Sequence, residues 1–197
     1  VKPFFLFIIL FLLVPIQSLA GEQVVPASAR LHSVTADFVQ EKHLKILARP
    51  LISTGTFSFQ APQSLRWEYR TPLAAILLMH DGKVKKYIDH DGEFREDQGM
   101  RLDSMPLVLA EIANWLDGRF TGNEMFKVSF PDKQTILLTP REQGFAAMIS
   151  SIQLKLADQQ GLLDEVTIFE GPESYTRLIF SNRVLNQEMP VSLFIDR

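Results

Sequence analysis

The chain has 197 residues, a formal net charge of −3, 46% hydrophobic residues and no cysteine. That length suits one domain with a sizeable core, and the mildly acidic balance argues against a nucleic-acid partner, which wants a basic surface. Without Cys there is no disulfide, no thiol chemistry and no lipidated cysteine to anchor the chain, so packing alone must hold the fold.

The N-terminus reads as a targeting segment. Lys2 supplies a positive charge, Phe4 to Ile16 is almost wholly apolar, and Ser18-Leu19-Ala20 is a small-x-small cleavage pattern. Pro15, Gln17 and Ser18 interrupt the run before it reaches a comfortable membrane span. The layout predicts a secretory signal peptide over residues 1–20, leaving 21–197 as one exported domain, free in solution.

The next segment, 26–32, has the length of a two-turn helix. Strands are then predicted at 34–42, 51–60, 65–70, 74–79 and 84–89, each an alternating or apolar run bounded by turn-formers. The connection through His43, Lys45, Arg49 and Pro50 reads as an exposed hairpin. Asp81-Gly82 and Asp91-Gly92 are the strongest hairpin signals in the chain. Alternation puts Phe57 and Phe59 on one face of one strand, and Leu65, Trp67 and Tyr69 on one face of the next. Arg66, Glu68 and Arg70 fall on the opposite face, where a solvated surface is expected.

One helix interrupts the strands. Asp103 or Ser104 serves as N-cap, Pro106 sits in the first turn and Gly118 follows the last. Met105, Leu109, Ile112, Trp115 and Leu116 form an apolar stripe at spacings of three and four. Strands resume at 125–130, 134–139, 149–156, 162–169, 175–180 and 191–195. About ten or eleven short strands with one or two helices describe a large antiparallel sheet under a helical lid.

Chemistry-bearing motifs are missing. There is no Gly-x-Ser-x-Gly elbow, no glycine-rich phosphate loop and no zinc spacing among His32, His43, His80 and His90. His80 and His90 would have to approach across a hairpin to share a ligand. The acidic run from Asp89 to Asp97 places Gly92 at the fourth position rather than the sixth that a calcium loop requires, so it reads as a solvated hairpin. No enzyme, metal or cofactor is expected.

Four segments together resemble the LolA family of periplasmic lipoprotein carriers. They are Val34-Thr35-Ala36-Asp37-Phe38-Val39-Gln40; Gly55 through Tyr69 with Pro62; Pro72, Ile76-Leu77-Leu78, Asp81-Gly82-Lys83 and Tyr87; and the closing set Phe180, Asn182, Asn186, Pro190 and Phe194. The resemblance implies an incomplete β-barrel of about eleven antiparallel strands. Short α-helices cover it, with a hydrophobic cavity between barrel and lid for lipoprotein acyl chains or another lipid. It further implies a monomer that works with an inner-membrane Lol-type ABC transporter and an outer-membrane LolB-type receptor. The acyl-chain cavity is assigned to Phe38, Phe57, Phe59, Leu65, Trp67, Leu77, Met79, Leu109, Ile112 and Trp115. Family members often carry a basic residue, typically Arg, before the proline that is here Pro62. This chain has Ala61 there, and Leu65 at the position of a following aromatic. Two alternatives therefore stay open: a carrier of the same fold for a specialised lipid, and a periplasmic lipid-sensing module.

Overall fold

The computed structural model describes residues 31–97, 125–158 and 162–195. They form eleven strands and two short helices: β1 (Ser33–His43), β2 (Leu51–Gln60), β3 (Ser64–Thr71), β4 (Ala75–His80), β5 (Lys83–His90), β6 (Glu93–Glu96), β7 (Phe126–Ser129), β8 (Thr135–Pro140), α1 (Gln143–Ala146), β9 (Ser151–Leu156), β10 (Leu163–Gly171), β11 (Ser174–Leu185) and α2 (Ser192–Ile195). The expected helix over 103–118 lies outside the described residues, as does most of the 26–32 segment, of which Leu31 and His32 are not helical.

All eleven strands make one antiparallel sheet in the order β6-β5-β4-β3-β2-β1-β11-β10-β9-β8-β7. It consists of two meanders, β1–β6 and β7–β11, sewn together where the first strand pairs with the last. Its edges, β6 and β7, do not pair with each other, so the sheet stays open rather than closing into a barrel. The local reasons are those visible in the chain. Asp81 and Gly82, then Asp91 and Gly92, all take positive φ (48°, 73°, 56° and 89°). Two successive left-handed residues match the twist of the flanking strands, which is why Asp-Gly closes both hairpins.

Register sorts the side chains cleanly. Ala36 lies opposite Phe57, Phe57 opposite Trp67, and Trp67 opposite Leu77, so one face is apolar across four strands. The same face continues through Leu178, Val166, Leu154 and Ile136 on the other meander. These residues belong to a single buried cluster that also takes in Phe126, Leu138 and Phe180. Gly55 makes the aromatic packing possible. A Cβ there would run into the Glu68 carbonyl oxygen and sit 2.8 Å from Phe38 Cζ.

Two expectations need correction. Residues 191–195, read as a strand, form the short helix α2, held by Leu193 N–H to the Pro190 carbonyl and Phe194 N–H to that of Val191. The acidic hairpin is solvated as expected, but its second arm, Glu93–Glu96, absent from the expected strands, is the edge strand β6, and its Phe94 packs against Ile76, Leu78 and Tyr87. His80 and His90 stand at opposite ends of their strands, since His80 pairs with Lys83 and His90 with Glu93.

Candidate functional site

The inner face is built from aromatic side chains in mutual contact. Phe38 and Trp67 have ring centroids 4.5 Å apart, Phe38 and Tyr69 meet edge-on at 5.3 Å, and Phe57 meets Trp67 edge-on at 5.3 Å. Phe180, from the other meander, closes on both Phe57 and Trp67. Edge-to-face and tilted pairs each add about 0.5–1.5 kcal/mol beyond area burial. Of the ten residues assigned to the cavity, Phe38, Phe57, Phe59, Leu65 and Trp67 are buried, with Leu77 and Met79 packed partly buried against them. Leu109, Ile112 and Trp115 lie outside the described residues.

Two polar groups sit within this face. Tyr69 donates its hydroxyl hydrogen bond to Gln40 Oε1 at 2.8 Å. Burial pushes its pKa up to about 12. The Trp67 indole Nε1 is buried and has no hydrogen-bond partner among the described residues, lacking the geometry of a bond to the Tyr69 oxygen. A buried donor left unpaired costs about 1–3 kcal/mol.

Space remains beside Phe57. A small recess of about 20 Å³, room for about one water molecule, is lined by Val34, Ala36, Phe57, Leu162, Leu163, Phe180 and Arg183. It lies at the end of the sheet that carries Ala61, because Ser33 pairs with Gln60 and Ala61 N–H bonds the His32 carbonyl. Arg183 is the charged group at its rim, tied to Asp164 at 2.6 Å and to the carbonyls of Leu163 and Phe180. Of the seven lining residues, only Phe57 was among those assigned to the cavity from sequence. Val34 and Ala36 alternate with Phe38 and could have been added by period alone; Leu162 and Phe180 are brought there by long-range pairing.

The outer face differs from expectation at one place. Arg66 is not solvated: its side chain is 14% exposed, paired with Glu68 at 2.8 Å and reaching the Leu193 carbonyl at 3.3 Å. Helix α2 packs over β3 and β4 here and buries Phe194. A groove of about 260 Å³ borders it between Leu78, Lys83, Lys85 and Ile195. Toward β9 the outer face carries an ion-pair ladder in which Arg177 bridges Glu41 (3.7 Å) and Glu165 (2.6 Å), and Lys155 approaches Glu165 (3.6 Å). Burial pushes the Glu165 carboxyl upward, but the Arg177 hydrogen bond and charge, with Lys155, outweigh it, and the net pKa falls below the ordinary value. Among the described residues no three His, Asp or Glu side chains gather as a metal site, and no helix is long and apolar enough to cross a membrane.

The family profile described as outer membrane lipoprotein carrier protein LolA matches residues 29–195. An outer-membrane lipoprotein carrier protein from Chromobacterium violaceum is 26% identical over 184 residues, covering 91% of this chain and 84% of that protein. Among solved structures, a LolA superfamily protein from Nitrosomonas europaea aligns with a TM-score of 0.40 at 8% identity, over 83% of this chain and 90% of that one. A DUF1329 family protein from Desulfovibrio piger aligns with a TM-score of 0.43 at 8% identity, over the same shares of the two chains.

Proposed function

Because the chain belongs to the LolA family of outer membrane lipoprotein carriers, we propose that its inner face shelters the acyl chains of a lipoprotein between inner and outer membranes. The observation that carries this reading is the apolar inner face, on which Leu77, Trp67, Phe57 and Ala36 of one meander join Leu178 and Val166 of the other in a single cluster. An acyl chain gains roughly 0.8 kcal/mol for each methylene it buries. The described face is filled by its own aromatics, so cargo enters by displacing side chains, and adaptable Met79 and Leu77 at its margin suit that displacement. The unpaired Trp67 indole N–H offers a donor to an ester carbonyl at the head of the cargo. Leu109, Ile112 and Trp115 belong to the acyl-chain site in this reading. Residues 1–20 direct export to the periplasm and are removed there. An inner-membrane transporter loads the carrier, a LolB-type receptor unloads it, and no catalytic step is involved.

Ala61 favours a second reading within the same class. Where family members commonly carry a basic residue before the proline, this chain has a methyl group, and a related acylated lipid then becomes the cargo. Both readings are tested by release of an acylated lipoprotein from membranes into a soluble complex with this protein. Trp67→Glu should abolish release, as should Leu77→Asp at a partly buried position where the fold survives more readily. Full release with both variants folded would remove the inner face from the function. Release of a diacylated lipid but not of lipoprotein would select the second reading.

A further inference from the structure

The inner face changes character where it reaches Tyr69. Phe38 and Tyr69 both pair with Gly55, which has no side chain to stand between them, and their rings meet edge-on. Trp67 lies beside both, its ring centroid 4.5 Å from that of Phe38 and 6.3 Å from that of Tyr69. The period of two then brings Gln40 onto the same face, two residues beyond Phe38. The Tyr69 hydroxyl donates to Gln40 Oε1. With its pKa raised to about 12, that hydroxyl keeps its proton at neutral pH.

Two donors are left over in this corner. The Trp67 indole Nε1–H is fully buried and makes no hydrogen bond among the described residues. The half-buried Gln40 amide is engaged through its oxygen, and its NH2 has no acceptor among the described residues. The charges on the same face are matched, by contrast. Lys42 reaches Glu170 at 3.5 Å, and Thr176 donates to that carboxylate at 3.3 Å. Lys86, opposite Leu77, reaches Asp97 at 3.3 Å, and Arg95 reaches Glu93 at 3.0 Å. What the corner lacks is therefore an uncharged acceptor. Phe38, Phe57 and Phe180 surround the indole, so the acceptor that suits it is a carbonyl carried on hydrocarbon.

We infer that the Trp67 indole and the Gln40 amide read the acyl carbonyls of the cargo, so that the inner face selects ester-linked chains over ether-linked ones. This rests on the inner face sheltering acyl chains, and it adds which chemical linkage the face accepts. One ester oxygen accepts from the indole N–H, the second ester of a diacyl head accepts from the Gln40 amide, and the hydrocarbon spreads over the apolar side chains. An ether offers neither carbonyl and leaves both donors as they stand in the empty protein.

Dihexanoyl phosphatidylcholine and its dihexyl ether analogue share a head group and differ in the two carbonyls. Each is titrated calorimetrically into the purified protein below its micellar concentration. The ester should bind about tenfold more tightly. Trp67→Phe, which keeps a ring and loses the N–H, should bring the ester down to the affinity of the ether. Gln40→Met should narrow the preference to about threefold. A second readout needs no substitution at the site. The chain has two tryptophans, and the Trp67 indole signal in nitrogen-15 spectra, assigned with Trp115→Phe, should move downfield with the ester and hardly at all with the ether. Equal affinities for the two lipids, or an indole signal that answers both alike, would overturn the inference and leave the cargo reading in place. So would a folded Trp67→Phe protein that keeps the ester preference. Binding of neither lipid would overturn both.

Discussion

On the inner face, neighbouring strands present Ala36, Phe57, Trp67 and Leu77 in one row. One residue away on the outer face, the same four strands present Asp37, Thr56, Glu68 and Ile76. A sheet with period-two side chains can separate chemistry this sharply only if its register is held, since a slip by one residue would exchange the faces. The inner face is held by aromatic contacts that run across both meanders. The outer face is held piecewise, by the Arg177 ladder on one side and, on the other, by α2 beside Arg66 and by Phe94 over Ile76, Leu78 and Tyr87. The inner face is therefore a single cooperative surface, and the outer face is a set of local solutions.

Substitutions paired across the faces can break that contrast. The largest effect is expected from Gly55→Ala, whose Cβ meets the backbone oxygen of Glu68 and the ring of Phe38. It should cost about 4 kcal/mol or more, whereas Thr56→Ala, its outward neighbour, should cost less than about 1 kcal/mol. Urea unfolding measures both, and similar midpoints would show that β2 and β3 do not approach so closely. Phe194→Ala removes the buried cover of the outer face and should cost about 3 kcal/mol. Because α2 is a local device, lipoprotein release by the folded fraction should be unchanged. A loss of release beyond the loss of folded protein would tie the two faces together.

The smallest effect belongs to the ladder. Glu165→Gln should cost about 1 kcal/mol or less at neutral pH, since Arg177 keeps partial solvent contact. Its signature is the pH dependence. The Glu165 carboxyl is held below its ordinary value of 4.5 in the folded protein, so it stabilises above that value. As pH falls below 4.5, the unfolded chain takes up the proton first, and the contribution is lost as pH passes through the depressed folded pKa. Glu165→Gln should therefore flatten the acid limb of the stability curve, and an unchanged limb would exclude the ladder from acid stability.

Much of this architecture was legible in the chain because its signals are local. Alternation in Gly55 through Tyr69 and the two Asp-Gly turns act over a few residues, and nothing distant overrides them. Asn182 and Asn186, part of the closing pattern, take positive φ (50° and 55°), a conformation Asn tolerates better than most residues. The misreadings have equally local causes. Five residues, 191–195, are too few to separate alternation from a single helical turn, and α1, with four residues, leaves no periodicity to detect. Charged Glu93–Glu96 has weak strand propensity and pairs only because it follows a tight turn onto β5. The cover over Arg66 depends on a contact between residues 127 apart, which no local pattern encodes. The recess beside Phe57 was missed for the same reason, since Leu162 and Phe180 arrive from the far meander.

The seam between β1 and β11 has a kinetic consequence. Asp37 and Asn182, which hydrogen-bond across it, are 145 residues apart in sequence. Each meander can form from neighbouring hairpins, but the join must close a loop that spans most of the chain, the slowest kind of contact to make. As the chain emerges from its N-terminus, β1 has a bare edge until β11 arrives, and that edge can pair with any other strand in reach. Folding of this protein is thus finished by its last strand, and whatever delays β11 prolongs the interval in which two half-sheets stand open.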